Sequence, residues 1–203
     1  KDGRYVTFST AAKLDSADLG PFEDFARGVQ DSTGGITLLP WGGGLGKVAV
    51  DIRREITKVP DLAIISKSPS ALGVGRFLGM QTHRVPGFKE GAKVAAQLLG
   101  REDVFLHIEE TDDISHKCNP KDKLRLIEEI DRELARYEKH FQRCEVALLI
   151  DHGASSVTGE HLLMRVPFAV RGPRWKGDGT ASFHENGGQH FPLGALLDTI
   201  LED

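Results

Sequence analysis

Four short apolar runs, spaced by amphipathic segments, constrain this chain more than any other feature. They are "DLAIIS" (61–66), "DVFLHI" (103–108), "VALLI" (146–150) and "VPFAV" (166–170). Runs so continuously apolar predict strands with both sheet faces covered. Helical patterns lie between them. "GAKVAAQLL" (91–99) is one. The strongest spans 121–142, where Leu124, Ile127, Ile130, Leu134, Tyr137 and Phe141 recur at three- and four-residue steps. Its start carries Asn119 as a cap, Pro120 suited to the first turn, and Asp122 placed for the helix dipole. This order predicts an α/β fold with a mostly parallel sheet and helices on both faces. In such a sheet, functional loops follow the C-terminal ends of the strands.

The first 50 residues read differently. "DGRYVTFST" (2–10) suits a hairpin arm or an edge strand, and "DSADLGPFEDFARGVQ" (15–30) a short helix capped by Asp15 or Ser16. "LPWGGGLG" (39–46) is a glycine-rich loop that does not fit the GxxxxGK[ST] phosphate cradle. It reads as a crossing between two parts, 1–45 and 46–203. A chain of 203 residues can bury a core in one or two such domains. The formal net charge of -4 argues against nucleic acid as the main partner. No apolar run approaches the roughly 20 residues that span a bilayer, so no membrane partner is expected. No signal peptide is visible. Two cysteines, Cys118 and Cys144, form no CxxC, which points to free thiols in a reducing, cytoplasmic setting.

Acids and histidines gather beside the strands. Asp112, Asp113 and His116 follow the 103–108 run, Asp151 and His152 follow 146–150, and His161 precedes 166–170. Carboxylate oxygens and imidazole nitrogens are ligands for Mn²⁺ and Zn²⁺. If a helix starts near Thr111, Asp112 and His116 share one face. Adjacent side chains diverge, so Asp151 and His152 suit bridging two ions better than chelating one. Each group has a plain reading as well: Asp112 as a helix cap, His116 as a surface residue, Asp151 as a turn former. Cys118 is a candidate soft ligand. His107 reads as a hydrogen-bonded core residue. "RGPRWKGDG" (171–179) reads as a solvated loop whose Arg171 and Arg174 could meet an anion.

The order "HIEETDDISH", then a helix with "IEEID", then "DHG", then "GEHLLMRVPFAVRGP" resembles the cofactor-independent phosphoglycerate mutases. The resemblance is to their archaeal-type branch, within the alkaline phosphatase superfamily. Those proteins carry D-E-x-G-H, I-E-x-I-D, D-H-S and H-x-G-D-P-V-P in that order. "ALGVGRFLGMQTHRVPG" (71–87) is similar to the family's K-G-I-x-R-x-x-G-M…V-P-G, and "LPWGGG" to its W-P-W-G-x-G. "ASFHENGGQHFPLGALLDTIL" is similar to its terminal region, and the stretch around 2–19 faintly to its substrate domain.

The resemblance implies an alkaline-phosphatase-like domain over 46–203 and a shortened remnant of the substrate domain over 1–45. It implies two divalent metal ions, Mn or Zn. Asp112, His116 and His161 match the protein ligands of one ion, and Asp151 and His152 two ligands of the other. The family's remaining ligand aspartate and its nucleophilic serine lie near its N-terminus and are not identified here. Asp2 and Ser9 stand in a substrate-domain context. Three positions depart from the family pattern: Ser115 stands for a glycine, Gly153 for a serine, and "HLLMRVP" for the H-x-G-D-P-V-P run. The implied activity is phosphoryl transfer on a small phosphorylated substrate, resembling interconversion of 2- and 3-phosphoglycerate. A phosphatase, or an inactive relative serving as a metal- or ligand-binding module, is the alternative.

Overall fold

The computed structural model describes residues 62–180 and 182–184, together with 24, 25, 27–32 and 34. The hairpin arm or edge strand expected over 2–10, the glycine-rich segment 39–46, the candidate pair Asp2 and Ser9, and the 185–203 stretch lie outside the described residues. The chain divides into two compact units, Lys1–Thr57 and Lys58–Asp203. In the first, the described residues between 24 and 32 are helical, overlapping the end of the 15–30 segment where a short helix is expected and running two residues past it.

The second unit is α/β, as the alternating pattern predicts. Its centre is β1 (Leu62–Ser66), paired in parallel with β2 (Gln81–Arg84) on one side and β3 (Asp103–Leu106) on the other. Helix α1 (Pro69–Leu78) connects β1 to β2, and α2 (Phe88–Leu98) connects β2 to β3. Ala63, Ile64, Ile65 and Ser66 of β1 are all buried, as the apolar run requires. The core forms around Ile65, Val85 and Ala95, with Val94, Leu98, Val104 and Leu106 packed against it. Removing a side chain the size of Ile65 from water contributes roughly 1.5–3 kcal/mol.

Local chemistry explains the helix ends. Pro69 opens α1 with its φ already helical. Gly79 closes it at φ 88, with Gly79 N–H on Arg76 O and Met80 N–H on Gly75 O, the paired bonds of a Schellman turn. Neither α1 nor β2 is evident as an apolar run, because Gly73, Gly75, Thr82 and His83 interrupt the pattern. Helix α2 starts at Gly87, which has no side chain to cap it. The Glu110 carboxylate does so from across the fold, accepting from Phe88 N–H at 2.9 Å.

Helices α3 (Glu110–Ser115), α4 (Pro120–Ala135) and α5 (Glu138–Phe141) follow. The Asn119 side chain caps α4, accepting from the N–H groups of Lys121 and Asp122, as expected. The helix expected over 121–142 breaks after Ala135. There Arg136 N–H and Tyr137 N–H bond to Glu133 O and Leu134 O, a tightening to three-residue steps. Helix α4 packs on α2 and α3. Its apolar stripe is only partly covered: Leu124 and Ile127 are exposed, whereas Ile130 and Leu134 are half-buried.

The 146–150 and 166–170 runs depart from the expectation of covered strands. They form β4 (Val146–Leu149) and β7 (Phe168–Arg171), paired antiparallel. Residues 150–167 contain no helix, and without a crossover the chain returns antiparallel. Leu148 and Leu149 are exposed, so the apolar run at β4 is not matched by burial among the described residues. Between these strands lies a small hairpin, β5 (Gly153–Ala154) and β6 (His161–Leu162). Arg174 and Arg171, the candidate anion contacts, instead ion-pair with Glu145 and Glu138. Among the described residues, no helix is long and apolar enough to cross a membrane.

Two of these contacts are open to direct test. A Cβ at Gly75 would collide with Cγ2 of buried Ile64, a short branch that cannot swing away. Gly75→Ala is expected to cost about 1–3 kcal/mol of stability, read by urea denaturation. The Arg174 guanidinium donates to the Glu145 carboxylate and holds its pKa below the ordinary 4.5. A depressed pKa adds stability above about pH 4.5, and that stability is lost as the pH falls through the folded value. Arg174→Met should return the Glu145 titration, followed by NMR, toward its ordinary range. The stability gap between variant and wild type should then close on acidification.

Candidate metal centre

The loop after β3 and the β5–β6 hairpin together build a three-donor group. Helix α3 begins at Glu110 and ends at Ser115, with His116 as its C-terminal cap residue. One turn therefore separates Asp112 from His116, and their side chains meet: Nε2 of His116 lies 3.2 Å from Oδ2 of Asp112. The other carboxylate oxygen, Oδ1, lies 3.2 Å from Nε2 of His161. One donor atom from each of these residues lies within 4.8 Å of the others. Side-chain exposures of 32% for Asp112, 48% for His116 and 53% for His161 leave the group open to solvent.

The proton placement is informative. Nδ1 of His116 lies 2.7 Å from the carbonyl oxygen of Gly159. A carbonyl only accepts, so Nδ1 carries the hydrogen and the neutral ring offers Nε2 as a lone pair. That lone pair faces an acceptor, the Asp112 carboxylate. Two acceptors at this distance need a cation between or beside them, either a proton on Nε2 or a metal ion. Ligands held about 2.0–2.1 Å from a tetrahedral Zn²⁺ lie at similar mutual separations. The donor set, its spacing and the fixed tautomer fit a divalent ion.

Asp151 and His152 stand beside this group. The His152 ring lies over that of His161, with centroids 4.0 Å apart. Asp151 turns back on its neighbour: Oδ1 accepts from His152 N–H at 2.8 Å, and Oδ2 lies 3.5 Å from His152 Nε2. Its side chain is 84% exposed. Cys118, the candidate soft ligand, is exposed and not in the three-donor group, with Sγ 3.7 Å from His116 O. His107 is half-buried and meets Ser66 Oγ through Nδ1 at 2.9 Å.

Two of the unusual positions have structural accounts. A Cβ at Gly153 would lie 2.5 Å from Met164 Sδ and 3.0 Å from its Cγ. The glycine after His152 and the methionine in "HLLMRVP" thus occupy one another's space, and a serine at 153 requires Met164 to move. Ser115 is fully buried, with its hydroxyl donating to Thr111 O at 2.7 Å. Sequence reasoning missed Gly159, which acts through a backbone carbonyl and leaves no side-chain signal.

A family model described as "Metalloenzyme superfamily" matches residues 87–200. The 2,3-bisphosphoglycerate-independent phosphoglycerate mutase of Pyrobaculum neutrophilum is 32% identical over 122 residues, 56% of this chain and 30% of the relative. Its namesake from Pyrobaculum islandicum is 33% identical over the same shares. The corresponding protein 2 of Methanocaldococcus jannaschii is 31% identical over 60% of this chain and 28% of its own length. Among solved structures, the PH0037 protein of Pyrococcus horikoshii matches with a TM-score of 0.53 and 27% identity, over 63% of this chain and 38% of that one. The chain thus spans about 30% of the length of the curated relatives it matches.

Gly159 offers a direct test of the donor geometry. Its φ of +74° is left-handed, and a Cβ there would lie 3.1 Å from Cys118 Sγ and 3.4 Å from His116 Cα and O. Gly159→Ala is expected to cost about 1–2 kcal/mol. In NMR of the metal-free protein it should also shift the His116 ring signals, because it displaces the carbonyl that fixes the tautomer.

Proposed function

This chain belongs to the metalloenzyme superfamily, and we propose from that premise that it carries a metal-dependent phosphoryl-transfer site. The observation that carries the reading is the meeting of Asp112, His116 and His161 from segments far apart in sequence. In this reading Asp112, His116 and His161 hold one divalent ion, Mn²⁺ or Zn²⁺, and Asp151 and His152 contribute to a second. Bound ions supply Lewis-acid stabilisation of charge on a phosphoryl oxygen. The protein's own part is positional. Gly159 O keeps the His116 proton on Nδ1 and leaves Nε2 free to bind, while the Asp112 carboxylate spans both imidazoles.

The substrate class is a small phosphorylated metabolite. The similarity to 2,3-bisphosphoglycerate-independent phosphoglycerate mutases supports a reaction resembling phosphoglycerate mutation. In this scheme residues 46–203 form the metal-binding domain, 1–45 a remnant of a substrate domain, and the protein acts in the cytoplasm. Ser115 is excluded as a nucleophile by its full burial and its bond to Thr111 O. A repurposed metal- or ligand-binding module is the second reading. It is favoured by Asp151, which turns to its own neighbour and is largely exposed.

Two measurements test these readings. Elemental analysis after loading with Mn²⁺ or Zn²⁺ should find bound metal in the wild type and its loss in both His116→Ala and His161→Ala. Metal retention in both variants overturns the site. Turnover of a generic phosphate ester with added Mn²⁺ separates enzyme from binding module: robust turnover rules out the inert reading.

A further inference from the structure

Lys123 sits in the first turn of α4, where a cation opposes the helix macrodipole. Helix electrostatics therefore give no reason for a lysine there. Its ammonium reaches out of the helix and donates to the carbonyl oxygen of Ala154 at 2.8 Å, in a partly buried contact. Ala154 is the β5 residue paired directly with His161 of β6. The same hairpin is closed by Ser155 N–H on Glu160 O at 2.9 Å and Gly159 N–H on Ser155 O at 2.8 Å. Within the hairpin's 153–162 span lie both His161 and the Gly159 carbonyl that orients His116. β5 and β6 have two residues each, so the ladder alone holds the hairpin weakly.

We infer that Lys123 is a positioning residue for the metal centre, acting through Ala154 to fix the hairpin that supplies one ligand and orients another. The inference rests on the metal-binding reading above. The lysine touches no ligand side chain in the contacts described. Its effect passes through one backbone carbonyl, one strand pair and the turn that ends at Gly159. Helix α4 is anchored independently by the Asn119 cap and by its packing on α2, so it serves as a fixed post. Groups bonded directly to a ligand change metal affinity by about 10–100-fold when removed; Lys123 acts one contact further out, so its effect is smaller.

The test compares Lys123→Met, Lys123→Gln and Lys123→Arg with the wild type, in the full chain. The first readout is Mn²⁺ affinity by electron paramagnetic resonance. The second is amide exchange of Ser155 and Gly159 in metal-free protein, with α2 amides as the internal control for global folding. Lys123→Met and Lys123→Gln should weaken Mn²⁺ binding several-fold, up to about the tenfold lower end of the range for groups that bond a ligand directly. They should speed hairpin exchange and leave α2 exchange unchanged. Lys123→Arg, which can still donate to the Ala154 carbonyl, should restore both. Unchanged hairpin exchange overturns the inference, as does a loosened hairpin with unaltered Mn²⁺ affinity. A wild type that binds neither Mn²⁺ nor, by calorimetry, Zn²⁺ overturns the metal reading itself, and this inference with it; a wild type that binds Zn²⁺ alone moves the affinity readout to Zn²⁺.

Discussion

The Asp112 carboxylate joins the two halves of the candidate centre, with one oxygen toward His116 and the other toward His161. The His116 lone pair and the carboxylate are both acceptors, so the arrangement calls for a positive charge. The Gly159 carbonyl enforces this by holding the His116 proton on the far nitrogen. A divalent ion meets the same demand as a proton and offers more coordination. The fold therefore has to deliver a short helix and a hairpin to one point.

Much of the frame exists to deliver the helix. β1 lies between β2 and β3, and its end meets the segment that leads into α3. His107 N–H extends the parallel ladder to Ile65 O, and the His107 ring bonds to Ser66. Lys67, next along, ion-pairs with Asp113, the neighbour of Asp112. That hydrogen-bonded pairing raises the Lys67 pKa above its ordinary value. Glu110, the first residue of α3, caps α2 and so ties the start of the site helix to the core layer. Exposed ion pairs such as Lys67–Asp113 contribute little to stability.

The hairpin is held differently. Its strands are too short to define a position by pairing alone, and close contacts replace the missing ladder. Met164 fills the space beside Gly153, Cys118 lies against Gly159, and Lys123 holds Ala154. Two sequence departures, Gly153 and the methionine of "HLLMRVP", thus become one packing arrangement.

Hydrophobic periodicity alone marked the α/β class and the central strand at 62–66, and residue type alone marked the cap at Asn119, because burial and capping are local demands on the chain. The four-residue spacing of Asp112 and His116 likewise puts them on one face of any helix that spans both. The antiparallel β4–β7 pair, helix α1 and the break after Ala135 were not legible. They depend on crossover length, on a backbone turn at Gly79 and on hydrogen bonding that no side chain announces. The resemblance, not spacing or residue type, grouped His161 with Asp112 and His116; the contact distances between them, the tautomer of His116 and the reach of Lys123 were decided only in three dimensions. Each runs through a backbone carbonyl or a contact between distant segments, and neither leaves a residue-type signature in the chain.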